Sequence, residues 1–280
     1  FVAVADVFDD ASNLPEVLAL DADSGNLYVY RWDGLGALAP VDGPIAVGGT
    51  PTGIAVGNVT GTSFADVVVT DSSGPEYNLL TETAADTLGI VDTVATKAGP
   101  RGPSIGDVWP TPGTEIIIAN SGDAVDSVSV FAANGVLRGD VSVNAAAGAQ
   151  AWDTLVADVL PASATNELAV AVYGADGLSS VNVFEQTLTG LDVPQRYDTG
   201  TGFGTGSLAA GDLDGDGHLE LVAGDGGWWD RDAAKAQGPG AHSYNVVAGT
   251  TLSGTFFSGG GVERAGTAPA LAIADLGMVG

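Results

Sequence analysis

Short apolar segments recur along the chain at nearly constant spacing, and the same polar positions follow each of them. A segment such as VAVADV or GIAVGNV ends in a small residue and an Asp or Asn, followed by a polar loop, an acidic residue and an aliphatic run. These Asp or Asn anchors are Asp6, Asn58, Asp107, Asp158, Asp212 and Asp275. Successive anchors lie 52, 49, 51, 54 and 63 residues apart, and the acidic residue follows its anchor by 8 to 10 positions. Two intervals this steady indicate an internal repeat of about 50 residues.

Each repeat contains further segments that are typical of β-strands. Alternating β-branched and aromatic residues predict third strands at 26–32, 127–131, 180–184 and 242–247, and weaker fourth strands at 89–95 and 254–259. Four strands in about 50 residues are typical of a β-propeller blade, because radial neighbours cover the faces that one small sheet leaves open. A parallel β-helix is the rival architecture, but its rungs of about 20–30 residues are too short for this spacing.

We therefore predict an all-β chain: a β-propeller of four-stranded blades, with five full repeats and the first strand of a sixth. The predicted repeats span about 1–51, 52–100, 101–149, 150–205 and 206–267, with a partial repeat at 268–280. An opening strand needs partners, so we expect the chain to form all or part of a ring of six to eight blades.

Charge and composition narrow the classes of partner. The chain has 35 acidic and 8 basic residues, a formal charge of −27, which disfavours nucleic acid and anionic lipid as partners. It has no cysteine, which excludes disulfides, thiolate zinc sites and cysteine nucleophiles. No apolar run approaches the roughly 18–20 residues of a membrane span. We expect an extracellular or cell-surface protein, in marine or high-salt surroundings that screen its self-repulsion, with any secretion signal absent from this sequence.

The fifth repeat contains a loop whose side chains suit calcium. Residues 211–223 read GDLDGDGHLELVA, which places acidic side chains and one backbone carbonyl at alternate positions: Asp212, Asp214, Asp216, His218 (through its carbonyl) and Glu220. Calcium prefers six to eight oxygen ligands in flexible geometry, whereas magnesium requires a stricter octahedron. Ala223 stands where an EF-hand loop has a bidentate Glu, so we predict a calcium site between two strands. For the loops at 58–66 and 107–115 we expect hydrogen bonds in place of a metal.

Residues 203–224, FGTGSLAAGDLDGDGHLELVAG, resemble the FG-GAP or VCBS-type repeat of integrin alpha chains and many secreted microbial proteins. The resemblance covers the chain by spacing, although only this copy carries the complete motif. It implies an extracellular propeller in which Ca²⁺ is structural, with the five residues above as ligands. It does not imply a single activity, since such repeats occur in adhesion modules, glycan-binding domains and propeller-type polysaccharide lyases.

Aromatic residues in the segment GDGGWWDRD, 224–232, suggest a second site. Adjacent Trp228 and Trp229 cannot both face one side of a strand, so one of them can stack on a sugar beside Asp230 and Arg231. The alternative is a tryptophan packed between blades next to a solvated charge cluster. We expect the remaining tryptophans to pack between blades; they are Trp32, Trp109 and Trp152.

Two classes of function remain open on the sequence alone. The first is a non-catalytic module that binds a glycan or a protein, or assembles on a surface or within a larger parent chain. The second is a polysaccharide lyase or another glycan-degrading enzyme. We identify no catalytic residue: the chain offers only two Lys and two His, and His242 begins a predicted strand. An acidic polymer would also be repelled by the charge unless calcium bridged it, so the sequence favours the binding module.

Overall fold

A computed structural model describes most of the first 212 residues and parts of the remainder. The described residues are 1–9, 14–122, 127–143, 150–160, 163, 165–173, 178–201, 204–212, 219–226, 229–230, 235–236, 241–248 and 254–260. All regular structure in them is β-strand, and the chain divides into two compact units, residues 1–142 and 143–280.

The first unit contains three antiparallel sheets, each of four strands paired in chain order. Sheet 1 consists of β1 (Val2–Ala5), β2 (Glu16–Asp21), β3 (Asn26–Trp32) and β4 (Leu38–Ala46). Sheet 2 consists of β5 (Pro51–Gly57), β6 (Asp66–Asp71), β7 (Glu76–Ala84) and β8 (Thr87–Ala95). Sheet 3 consists of β9 (Pro100–Gly106), β10 (Glu115–Asn120), β11 (Ser127–Ala132) and β12 (Leu137–Ser142).

The second unit contains two sheets of the same design, each with a small two-stranded hairpin inserted before its last strands. Sheet 4 consists of β13 (Gln150–Ala157), β14 (Glu167–Tyr173), β15 (Leu178–Phe184) and β18 (Gln195–Thr201), with the hairpin β16 (Gln186–Thr187) and β17 (Gly190–Leu191). Sheet 5 consists of β19 (Gly204–Gly211), β20 (Glu220–Gly226), β23 (Ala241–Ala248) and β24 (Gly254–Gly260), with the hairpin β21 (Trp229–Asp230) and β22 (Lys235–Ala236).

These repeated sheets are the blades of a β-propeller, which confirms the predicted fold class. Within each unit the first strand of one sheet contacts the first strand of the next, as β1 does with β5 and β13 does with β19. The third and fourth strands that the sequence predicts lie within observed strands of sheets 1 to 5. The predicted first strand of a sixth blade, at 268–280, lies outside the described residues.

Strand β6 shows why the aliphatic runs are continuous and do not alternate with polar residues. Every residue of β6 is buried. Val67 and Val69 belong to the core between sheets 1 and 2, whereas Val68 belongs to the core between sheets 2 and 3. A strand covered on both faces needs apolar side chains at successive positions. The second core also holds Tyr77, whose ring lies edge-on to that of Phe131 with the centroids 5.2 Å apart.

Asp71, at the end of β6, fixes the connection between sheets 1 and 2. Its carboxylate accepts hydrogen bonds from the backbone N–H groups of Gly49 (3.0 Å), Thr50 (2.9 Å) and Ser73 (2.9 Å). Burial alone would raise the pKa of Asp71, but hydrogen bonds from Ser73, Thr50 and Gly49 outweigh burial and hold the pKa below its usual value. Gly48 allows this close approach, because a Cβ there would lie 2.1 Å from Asp71 Oδ2.

We therefore expect Gly48→Ala to destabilise the protein by about 3 kcal/mol, since it combines a disfavoured backbone with loss of the Asp71 hydrogen bonds. Gly48 has φ 129°. Gly34→Ala is the matched control: Gly34 also has positive φ, 74°, but a Cβ there meets no atom within 4 Å. It should lower the free energy of unfolding by only about 1–2 kcal/mol. Urea denaturation of both variants tests this, and equal losses would contradict the role of Asp71.

Candidate functional site

The acidic residue of each repeat opens the second strand of its blade. It lies opposite the last residue of the first strand, which is always Ala or Gly; the pairs are Ala5 and Glu16, Gly57 and Asp66, Gly106 and Glu115, Ala157 and Glu167, and Gly211 and Glu220. We call the first four acids, whose side chains the structure describes, the clasp carboxylates. All four are buried, with relative exposures of 0 to 2 %. The same device therefore recurs in four successive blades.

The clasp carboxylates bind the backbone just after the anchor residue. Glu167 Oε2 accepts hydrogen bonds from the N–H groups of Val159 (2.9 Å) and Leu160 (3.1 Å). Glu115 Oε2 accepts them from Val108 (3.1 Å) and Trp109 (3.3 Å). These N–H groups follow a strand end and have no ladder partner there, so the carboxylate satisfies buried and partly buried donors that would otherwise be unpaired. The predicted hydrogen bonding of the loop at 107–115 is thus confirmed.

Two clasp carboxylates also interact with an arginine, at very different distances. Glu16 Oε1 accepts a hydrogen bond of 2.8 Å from Arg31 Nε. Glu115 Oε1 lies 4.0 Å from Arg138 Nε, and neither atom has a hydrogen-bond partner among the described residues. Burial raises the pKa of Glu115, and the neighbouring Asp107 adds to this, while the Val108 N–H opposes it.

The loop at 58–66 is closed by hydrogen bonds between its own side chains and backbone. Its alternate positions carry Asn58, Thr60, Thr62, Phe64 and Asp66. Asn58 donates to the carbonyl of Thr62 and accepts from the N–H of Gly61 (2.7 Å). Thr60 donates its hydroxyl to Asp66 at 3.0 Å. Side chains at these positions therefore bond to the loop itself, which confirms the predicted hydrogen bonding at 58–66.

The fifth loop has the same length but a different donor set. Positions that carry Asn58, Thr60 and Thr62 in the second repeat carry Asp212, Asp214 and Asp216 in the fifth. The Asn and Thr side chains of the second repeat can donate hydrogen bonds as well as accept them, whereas ionised aspartates can only accept them. A set of oxygen-only ligands of this number is the kind that Ca²⁺ prefers in proteins.

The structure describes only the ends of this fifth loop. Asp212 is exposed directly after β19, and Glu220 opens β20 opposite Gly211. Asp214, Asp216 and His218 lie outside the described residues. Within the part of the chain that is described, no three potential His, Cys, Asp or Glu ligands converge as a metal site would require.

The predicted tryptophan platform is described only in part. Trp229 and Asp230 form β21, which pairs with β22, while Trp228 and Arg231 lie outside the described residues. His242 lies in β23 opposite Gly259. Among the residues that the structure covers, no helix has the length and hydropathy to cross a membrane.

The structure reveals an open pocket with a mixed polar and apolar lining, the loop pocket, which the sequence analysis missed. Its volume is about 830 Å³, and it lies beside the first loops of sheets 2 and 3. Three segments line it: 58–61, 112–114, and residues of 132–138 around the turn between β11 and β12. These segments are distant in sequence, so no local pattern could have indicated it. Pockets of 300–1,000 Å³ hold small ligands.

Asp153 connects the first strands of sheets 4 and 5. Its Oδ2 accepts a 2.9 Å hydrogen bond from the backbone N–H of Leu208 in β19, and its Oδ1 accepts one from Thr154 (3.0 Å). Burial raises the pKa of Asp153 to about 7, although both hydrogen bonds act in the opposite direction. The interactions that shift the pKa of Asp153 include no cationic group among the described residues.

No family model matches the chain, and no curated protein matches it. Among solved structures, it is similar to BBS1N, crystallised in complex with ARL6DN, with 14% identity, a TM-score of 0.42, and coverage of 80% of this chain and 75% of that one. It is also similar to the V. cholerae biofilm matrix protein Bap1, with 15% identity, a TM-score of 0.37, and coverage of 75% of this chain and 41% of that one. The chain thus spans less than half of Bap1. The fold assignment rests on the repeated sheets themselves.

Proposed function

We propose that this chain is an extracellular propeller of the FG-GAP or VCBS type, in which Ca²⁺ at the loop 212–220 is structural. We further propose that it acts as a non-catalytic module for binding, adhesion or surface assembly, with a glycan or a protein as its ligand. Asp212, Asp214, Asp216 and Glu220 would hold the ion through carboxylates, and His218 through its carbonyl. The ion would tie the ends of β19 and β20 together by neutralising the loop.

The contrast between the second and fifth loops carries this proposal. Both run nine residues from the anchor to the acid that opens the second strand, and the flanking strands pair in the same register, Gly57 with Asp66 and Gly211 with Glu220. The second loop closes on its own amide and hydroxyl hydrogens. The fifth loop has carboxylates in their place, so its closure needs a cation to offset the repulsion between them.

The stabilising effect of calcium on unfolding tests this site. We expect Ca²⁺ added to chelator-treated protein to raise Tm by about 5–10 °C, because an ion at 100 times its Kd stabilises by about 2.7 kcal/mol. Mg²⁺ at the same concentration should raise Tm less. The double variant Asp214→Ala with Asp216→Ala should lose the calcium response, as measured by scanning calorimetry with and without chelator.

The control is a double variant that removes the same charge elsewhere, Asp9→Ala with Asp23→Ala, since both residues are exposed. It should keep the full calcium response. A wild-type Tm that does not change with chelator would refute the structural ion. Equal loss of response in both double variants would assign the effect to general charge screening.

A polysaccharide panel tests the non-catalytic part of the proposal. Each polymer is incubated with the protein and Ca²⁺, then scored both for retention of the protein and for shortening of the polymer. Retention without shortening is the expected result, with Trp228 and Trp229 the first residues of the predicted platform to substitute. Shortening with new unsaturated ends would instead identify a polysaccharide lyase.

A further inference from the structure

The loop pocket beside sheets 2 and 3 differs in its charge from the rest of this acidic protein. The chain carries 35 acidic residues, yet no acidic side chain lines the pocket. Its single charged lining residue is Arg138. The buried carboxylate of Glu115, 4.0 Å from Arg138 Nε, compensates that charge. The guanidinium therefore offers hydrogen-bond donors with little excess positive charge.

Two further lining residues have hydrogen-bonding capacity that the fold does not use. The side chain of Thr114 makes no hydrogen bond with any described residue, so its hydroxyl can both donate and accept. Asn134 uses its Oδ1 to accept from the Val136 N–H (3.3 Å), and its amide nitrogen makes no hydrogen bond within the described part of the chain. Arg138, Thr114 and Asn134 thus present unused N–H and O–H groups to the same pocket.

Apolar groups complete the lining. Val136 is 58 % exposed, and Pro112, which lines the same pocket, is also exposed. Exposed apolar groups next to unused polar ones suit a ligand that carries both C–H faces and hydroxyl groups. A pyranose ring has this character, with hydroxyls around its edge and C–H groups on its faces. The pocket volume, about 830 Å³, is large enough for more than one sugar ring.

We propose that this pocket binds a neutral oligosaccharide. The C–H face of a sugar packs on Val136 and Pro112, and its hydroxyls accept hydrogen bonds from Arg138, Asn134 and Thr114. A neutral ligand is favoured over an acidic one, because Glu115 already compensates Arg138 and the net charge of −27 repels anions. This inference deepens the proposed binding function by naming a ligand class and a site, apart from the predicted tryptophan platform.

Isothermal titration with cellotriose, mannotriose and galactotriose tests the proposal, with trigalacturonate and an oligo-aspartate peptide as the acidic alternatives. We expect at least one neutral trisaccharide to bind, and Thr114→Val with Asn134→Ala to weaken that binding about tenfold or more. Thr189→Val is the matched control, since Thr189 is exposed in the second unit and should leave binding unchanged. Arg138→Lys keeps the charge opposite Glu115 but loses the planar donors, and it should also weaken binding.

Three results would overturn the inference: no binding of any neutral trisaccharide, binding that the pocket variants leave unchanged, or preferential binding of trigalacturonate or the peptide. Unfolding curves of Thr114→Val with Asn134→Ala that match wild type establish that lost binding is not lost folding. The calcium response is measured separately, so its failure would refute the structural ion without affecting the pocket. Conversely, a calcium-stabilised chain that binds no neutral sugar would refute only the pocket.

Discussion

Replacing Glu167 with alanine should lower the free energy of unfolding by about 3–4 kcal/mol. The substitution leaves the buried N–H of Val159 and the partly buried N–H of Leu160 without their acceptor, and an unpaired buried donor costs about 1–3 kcal/mol. Glu167→Gln should cost less than about 1 kcal/mol, because one amide oxygen still accepts both bonds. The glutamine substitution also removes the buried negative charge of Glu167, whose Oε1 has no hydrogen-bond partner among the described residues.

In the first blade, we expect the same change from Glu to Gln to cost more stability. Glu16 Oε1 accepts a 2.8 Å hydrogen bond from Arg31, so Glu16→Gln leaves that guanidinium facing a neutral group. We expect Glu16→Gln to cost about 2–3 kcal/mol, clearly more than Glu167→Gln. Urea denaturation of the three variants measures these differences as shifts of the midpoint. If the two glutamine variants lose equal stability, the arginine does not distinguish the two clasp carboxylates.

Replacing Asp153 with asparagine should stabilise the protein, and more so as the pH rises. The pKa of Asp153 is about 7 in the folded chain, against 3.8 as its ordinary value, so between these pH values the folded state binds more protons. Its contribution to stability is therefore largest at low pH and is lost as the pH rises from about 4 to 7, by up to about 1.4 kcal/mol per pH unit. Because Asp153 keeps some solvent exposure, we expect the total loss of stability over this pH range to be about 2–4 kcal/mol.

The measurement is the difference in unfolding free energy between Asp153→Asn and wild type at a series of pH values. It should be small near pH 4 and reach its full size by pH 8. Asp158→Asn, which removes the same charge from an exposed position in the same unit, should show no such rise. Parallel curves for wild type and Asp153→Asn would mean that Asp153 titrates as an ordinary surface aspartate.

Much of this fold could be predicted from the sequence because its repeat is regular in two ways at once. The spacing between anchors indicated the blades, and the short interval from anchor to acid indicated where the first strand ends and the second begins. Both intervals reflect local pairing, such as Ala157 opposite Glu167. Contacts between strands adjacent in the chain leave a local pattern that sequence analysis can detect.

Other features depend on contacts between distant segments, and these the sequence did not indicate. The sequence analysis did not place the fourth strands of sheets 1, 3 and 4, which are β4, β12 and β18, and in sheet 4 the hairpin of β16 and β17 also lengthens the preceding connection. Trp32 was expected to pack between blades but is 50 % exposed at the end of β3, so that expectation was wrong. Trp109, in contrast, packs against the backbone of sheet 3, where a Cβ on Gly139 would lie 2.9 Å from its ring.

The candidate sites also differ in whether their residues are close together or far apart in the sequence. The calcium loop remains a prediction, and it could be put forward from the sequence alone because its predicted ligands lie within nine consecutive residues. The loop pocket could not be predicted, because Thr114 and Arg138 come from different segments and neither stands in a recognisable motif. The two partners of the Asp153 carboxylate lie in adjacent blades, and only the fold brings Leu208 close to it.

The clasp carboxylates have a consequence for how such a chain can diverge over time. Each one anchors the start of the second strand to the backbone behind the first, whatever residues occupy the loop between them. Mutations inside a loop therefore accumulate one at a time while the blade stays folded. A metal-binding loop can turn into one like Asn58–Asp66, or the reverse, without an unfolded ancestor between the two. The loops between the first and second strands are thus the part of this protein in which substitutions can introduce new binding residues with the least loss of stability.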